Sequence, residues 1–179
     1  MGYCIRGTKK LLDRIKPSPL AQNCHQPTML GSWYATVLLW KPQVALLVNE
    51  KTLLPVLMPL APAKDLAMRF PVHLADVLAA HGVPLQFIAH ELAQMNEVRY
   101  AKTSNRSVVG IMNQFTYLAE GYREHLEAKD LLTLSLRLSE TPCSPLYKGA
   151  VSPDRELRTL VSIFHPRTEA NDESIDGQR

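Results

Sequence analysis

Two segments of the 179-residue chain concentrate hydroxyl, amide and cationic side chains where a short strand reads straight into a helix. They are Tyr3-Cys4-Ile5-Arg6-Gly7-Thr8-Lys9-Lys10-Leu11-Leu12 and Val98-Arg99-Tyr100-Ala101-Lys102-Thr103-Ser104-Asn105-Arg106-Ser107. A helix start carries unpaired backbone N–H groups and a partial positive charge, so lysine or arginine there opposes the dipole unless something negative sits close by. The pattern predicts an anion site. If the strands at 3–7 and 98–102 lie side by side and parallel, both helices begin at one sheet edge, where ligands of sheet-and-helix folds bind. Lys9, Lys10 and Arg106 then supply charge, Thr8, Thr103 and Ser104 supply hydroxyls, and the helix starts, the second at Asn105, supply N–H donors. The expected guest is a phosphate or a carboxylate. Arg106, Gly110 and Asn113 fall at i, i+4 and i+7 on one helix face, with the glycine leaving room between two polar groups. A purely structural account of the same residues makes Thr8 and Ser104 plain N-caps, the lysines a solvated helix end, and Gly110 a close helix-to-sheet contact.

Other chemistries find less support. His25 beside Cys24, His81 and His90 around Gly82, His165 before Pro166 and the separate His73 share no zinc-type spacing, and neither metal nor cofactor is expected. No G-x-S-x-G elbow and no cysteine with a paired histidine occurs. His90-Glu91 and Glu124-His125 read as exposed helix residues, and Cys143 in Thr-Pro-Cys-Ser-Pro as a structural loop thiol. Three cysteines, widely spaced and without a C-x-x-C pair, read as reduced thiols of a cytoplasmic protein. Trp33 and Tyr34 point to opposite sides at strand spacing, so at least one ring is expected to leave the core, free to stack a base or fill a partner's pocket. Core packing is nevertheless the default expectation for Trp33, Tyr34 and Trp40.

Hydrophobic residues make up 46% of the chain and charged residues 21%, the balance of a globular protein. One domain over 1–166 is expected, with 167–179 too polar to offset its ordering entropy and hence a disordered tail. The formal charge of +3 permits nucleic acid without demanding it. There is no apolar h-region near the start and no run long enough to span a bilayer, so neither export nor membrane association is expected.

The elements that must position the corners follow from period and punctuation. Lys9 to Lys16 predicts a short helix stopped by Pro17 and Pro19, followed by a loop to Gly31. Trp33–Trp40, Gln43–Val48 and Thr52–Met58 predict an antiparallel meander, with Pro55 placing the third strand at an edge or bulge. Val72, Ala75, Leu78 and Ala79 predict the inner face of a helix capped near Gly82, and Leu85, Ile88, Leu92 and Met95 that of a helix starting at Pro84. A long helix from Asn105 carries Val108, Ile111, Met112, Phe115, Leu118, Ala119 and Tyr122 inward. Asp130–Leu138 alternates like a strand but is built of helix formers, and a helix is favoured. Ser152-Pro153-Asp154 starts the last helix, which ends before Pro166. The sum is an α+β fold: one mixed sheet of about five strands, helices mainly on one face, extra helices at the C-terminal end.

With both corners and the meander in view, the chain resembles an uncharacterised bacterial family catalogued as a domain of unknown function. The resemblance lies in the opening Arg-x-Thr-Lys-Lys-Leu-Leu-Asp at Arg6 to Asp13, in Ser32-Trp33-Tyr34-Ala35, in Leu47-Val48-Asn49, and in Thr103, Arg106, Ser107 and the later Asn113. It covers roughly residues 5 to 125 and implies fold boundaries but no activity. The functional expectation is therefore a cytoplasmic binding module with a basic anion pocket for a nucleotide or a nucleic-acid phosphate. Its rivals are a metal-independent nuclease or phosphotransfer enzyme at the same site, and a regulatory protein offering the edge of the meander to a partner chain.

Overall fold

A computed structural model describes residues 2–24, 28–125 and 130–164. Along them run β1 (Gly2–Gly7), α1 (Lys9–Ile15), β2 (Trp33–Leu38), β3 (Val44–Asn49), β4 (Pro55–Pro59), α2 (Leu66–Ala80), α3 (Leu85–Ala93), β5 (Glu97–Lys102), α4 (Arg106–His125), α5 (Leu131–Ser139) and α6 (Pro153–Ser162). The strands form one mixed sheet in the order β4-β3-β2-β1-β5. β2, β3 and β4 are the expected antiparallel meander, while β1 lies between β2 and β5 and is parallel to both. Asp130 caps α5 by accepting from the Leu132 and Thr133 amides, which resolves the ambiguous leucine run as a helix. The polar stretch 167–179 lies outside the described residues, as do His25 and His165.

The sheet is covered on both faces. Tyr3, Ile5, Trp33, Ala35, Leu47 and Val56 meet Leu11, Phe70, Phe87 and Leu157 in one core, so α1, α2, α3 and α6 share that face. Tyr34, Leu38, Leu46, Val48 and Leu57 meet Val108, Ile111, Phe115, Leu134 and Leu138 in the other, under α4 and α5. This double cover decides for the default of core packing over an escaping ring: Trp33 and Tyr34 are 1% and 0% exposed, and Trp40 is buried too. Alternating sides still holds, but each side ends in a core. Trp33 packs edge-on to Phe70 with centroids 4.9 Å apart.

Two helices turn in only part of their expected faces: Leu78, Ile88 and Met95 enter the core and Ala75 and Leu92 pack against it, but Val72 and Leu85 do not. α2 buries Leu66, Phe70, Leu74, Val77 and Leu78, leaving Val72 63% exposed. α3 buries Phe87, Ile88 and Glu91 and leaves Leu85 at 79%. Both helices carry apolar side chains on more than one stripe, and the larger rings decide which stripe turns inward, each worth about 2 kcal/mol on burial.

Glu91 is the clearest departure from an exposed helix residue. Its carboxylate accepts the Met29 and Leu30 amides at 2.9 and 3.0 Å, fixing the loop that enters β2. Asn49 serves the same loop from the other side: Nδ2 donates to the Leu30 carbonyl at 2.8 Å, and Oδ1 accepts from the Thr52 amide and hydroxyl.

The cysteines also depart from expectation. Cys4 is bonded to Cys24, with Cα atoms 5.8 Å apart. The chain turns after α1 at Lys16, which adopts a left-handed φ of 52°, and returns beside β5. There the Ala21 amide donates to the Tyr100 carbonyl at 2.8 Å, so a residue twenty positions from Cys4 comes back against β1. Cys143 alone stays a thiol; it is buried, and burial pushes its pKa up to about 11.

Both sheet edges are covered. β4 is an edge strand, as a strand bearing Pro55 must be, and its Leu57 amide donates outward to Ser135 Oγ of α5 at 2.9 Å. The Ala21 bond covers part of β5.

Candidate functional site

β1 and β5 pair in register, Arg6 with Ala101 and Gly7 with Lys102, so both strand-to-helix corners open at the same sheet edge. Between α1, the chain that follows it and the end of β5 lies a groove of about 760 Å³. Its floor and apolar wall are Gly7, Leu12, Pro17 and Leu20; its polar groups are Lys9, Asp13, Lys16, Lys102 and Thr103. Gly7 is needed for close approach, since a Cβ there would lie 2.9 Å from Leu12 Cδ2. Three ammonium groups thus face one carboxylate. Lys9 Nζ donates to Asp13 Oδ2 at 2.7 Å, but both side chains are well exposed, so this pair contributes little and is readily exchanged.

The expected site residues divide. Lys9 and Thr103 line the groove. Thr8 does not cap α1; its Oγ1 lies 3.0 Å from Thr36 Oγ1 and its amide donates to the Ala35 carbonyl, which ties the first corner to β2. Ser104 Oγ lies 3.2 Å from Tyr34 Oη, and that same oxygen accepts the Asn105 amide at 3.0 Å. Tyr34, buried on the α4 side, therefore positions the second corner. Asn105 caps α4, its Oδ1 accepting the Ser107 and Val108 amides at 3.0 and 3.4 Å. Those donors, expected to meet a ligand, are taken. Lys10, Arg106 and Asn113 are exposed and do not line the groove. A Cβ at Gly110 would meet nothing within 4 Å, so this glycine makes no close contact with the sheet.

Asp13, Lys16 and Lys102 line the groove but were not singled out in the sequence. Lys102 could have been found from the pairing that sets it beside Gly7, had the register been known. Lys16 arrives through its left-handed turn, which nothing in a lysine announces. Arg6 is a further unanticipated part of the corner: Nη1 donates to the Lys102 carbonyl at 3.2 Å, while Nε is buried without a partner. It braces the end of β5 from the α4 side of the sheet.

Two other hollows exist. One, of about 940 Å³, is walled by Trp40, Lys41, Glu120, Glu124 and Arg123, whose guanidinium sits 4.7 Å above the Trp40 ring. The other, about 480 Å³, includes His73, Asp76 and Asp130. Among the described residues no group of three or more His, Cys, Asp or Glu side chains could hold a metal ion. Nor is any described helix long and apolar enough to cross a membrane.

A family model described as a domain of unknown function (DUF6933) matches residues 4–156, and the chain belongs to that family. No curated protein and no solved structure matches it.

Proposed function

We propose that this member of the family is a small binding module whose ligand carries a phosphate, a nucleotide or a nucleic-acid end, held in the groove between α1 and the β5–α4 corner. The observation that carries this reading is the parallel pairing of β1 with β5, which brings Lys9 and Lys16 from one stretch of chain and Lys102 and Thr103 from another to one hollow. Cation and hydroxyl donors suit phosphate oxygens, and the adjoining Leu12, Pro17 and Leu20 suit a base or sugar face. With the Ser107 and Val108 amides capped by Asn105, the side chains rather than the helix start supply the attraction.

The groove places one carboxylate, Asp13, beside a lysine and no second base, which favours binding over phosphotransfer. A partner chain adding a strand at β4 would have to displace Ser135 from the Leu57 amide, at an edge where Pro55 and Pro59 offer no donor. Calorimetric titration with mononucleotides and short oligonucleotides tests the reading. Binding that Lys16→Ala and Lys102→Ala together abolish supports it, and the absence of binding by any phosphate compound overturns it. Breakdown of an oligonucleotide by metal-free protein would establish the enzymatic rival instead.

A further inference from the structure

We propose that Cys4 and Cys24 form a thiol–disulfide switch that holds or releases one wall of the groove; as a regulation of ligand binding it rests on the phosphate reading above, but its structural readouts do not. The segment leaving α1 supplies Lys16, Pro17 and Leu20 to the groove before it reaches Cys24. Between Lys16 and Cys24 it is anchored by the Ala21–Tyr100 hydrogen bond, and its residues are exposed or half-buried throughout. The Cys4–Cys24 bond is its covalent anchor to the sheet. A segment with one backbone bond and little buried apolar surface opens readily once its tether is cut.

The two sulfurs differ in access. Cys4 is 1% exposed on β1, whereas Cys24 is half-buried at the surface of the loop. A monothiol of the glutathione class attacks Cys24 Sγ as its thiolate, the Cys4–Cys24 bond breaks, and Cys4 Sγ leaves with the electron pair and takes up a proton. A second thiol attacks the mixed disulfide, frees Cys24 as a thiol and leaves the reductant as its own disulfide. Two reductant thiols are oxidised and two protein thiols are formed. In an oxidising compartment the wall stays tethered; in a reducing one it is released.

The test uses the full chain with and without dithiothreitol. Alkylation after denaturation is expected to mark Cys143 alone without reductant and all three cysteines with it; three marked cysteines without reductant overturn the proposal. Hydrogen exchange of the Ala21 amide is expected to quicken at least tenfold on reduction while the β3 amides do not change. Equal exchange in both buffers overturns the switch. Affinity for a mononucleotide is expected to fall at least threefold on reduction, and the variant with Cys4→Ser and Cys24→Ser to show the reduced value in either buffer. Redox-dependent exchange with unchanged affinity overturns the link to the groove. Redox-dependent exchange with no nucleotide binding in either state overturns the phosphate reading and leaves the loop switch standing.

Discussion

Lys9 shares its charge with Asp13, whereas Lys16 and Lys102 have no carboxylate within ion-pair distance among the described residues. Their ammonium groups are therefore the more available to a ligand. Lys16→Ala and Lys102→Ala are each expected to weaken nucleotide binding about three- to tenfold, or roughly 1 kcal/mol for a charge-assisted hydrogen bond. Arg106→Ala, outside the groove, is expected to leave it unchanged by the same titration. Glu91 gives a pH signature. Burial raises its pKa above the ordinary 4.5, against the opposing pull of the Leu30 and Met29 amides. The folded chain thus prefers the protonated form, so this residue's contribution to stability is greatest below 4.5 and declines as pH climbs through the raised value. Glu91→Gln, neutral throughout, is expected to flatten that slope, its cost of about 1 kcal/mol for the altered hydrogen bonds being greatest at acid pH and shrinking as pH rises, as read from urea unfolding across the acid range. The local chemistry of both corners was legible because a motif is contiguous. Glu91 was not, because its partners Met29 and Leu30 lie some sixty positions away and no helical pattern marks a carboxylate for burial.

At the level of the element, α5 and β4 depend on one hydroxyl. Ser135 Oγ accepts the Leu57 amide and donates to the Leu131 carbonyl, so Ser135→Ala leaves a buried donor unmet. The expected loss is about 1–3 kcal/mol, seen as a lower urea midpoint with an unchanged slope. Gly110 gives the opposite sign. It sits in the body of α4 with open space where a Cβ would go, so Gly110→Ala is expected to stabilise by about 0.5–1 kcal/mol. Ligand affinity should not change, which separates this account from the one in which the glycine makes room for a guest. The existence of the strands and the antiparallel succession of the meander were readable from turn residues and β-formers, and the edge position of β4 from Pro55. The inward faces of α2 and α3 were readable only in part: Ile88 and Leu78 turn in, but Val72 and Leu85 fit an apolar stripe as well as Phe70 and Phe87 do until the sheet is there to choose between them.

For the molecule as a whole, the parallel placement of β1 beside β5 could be stated from the sequence only as a condition, since Gly2 lies 95 positions before its parallel partner Glu97 and nothing local links them. Its fulfilment joins the corners. Most helices do share one face, as expected, but that α4 and α5 form the opposite cover was not stated, because a long amphipathic helix declares that it lies on a sheet, not on which side. Cys4 and Cys24 became a pair only through the return of the chain after Lys16.

The two guarded rims of the sheet differ in the order in which a ribosome would deliver them. Ala21 is made long before Tyr100, so the cover for β5 already waits when that strand emerges. Ser135 follows Leu57 by 78 residues, and for that stretch of synthesis β4 stands bare. A nascent chain halted before α5 would thus present an open strand to its neighbours on a polysome, making the interval between β4 and α5 the period in which this protein most needs a chaperone.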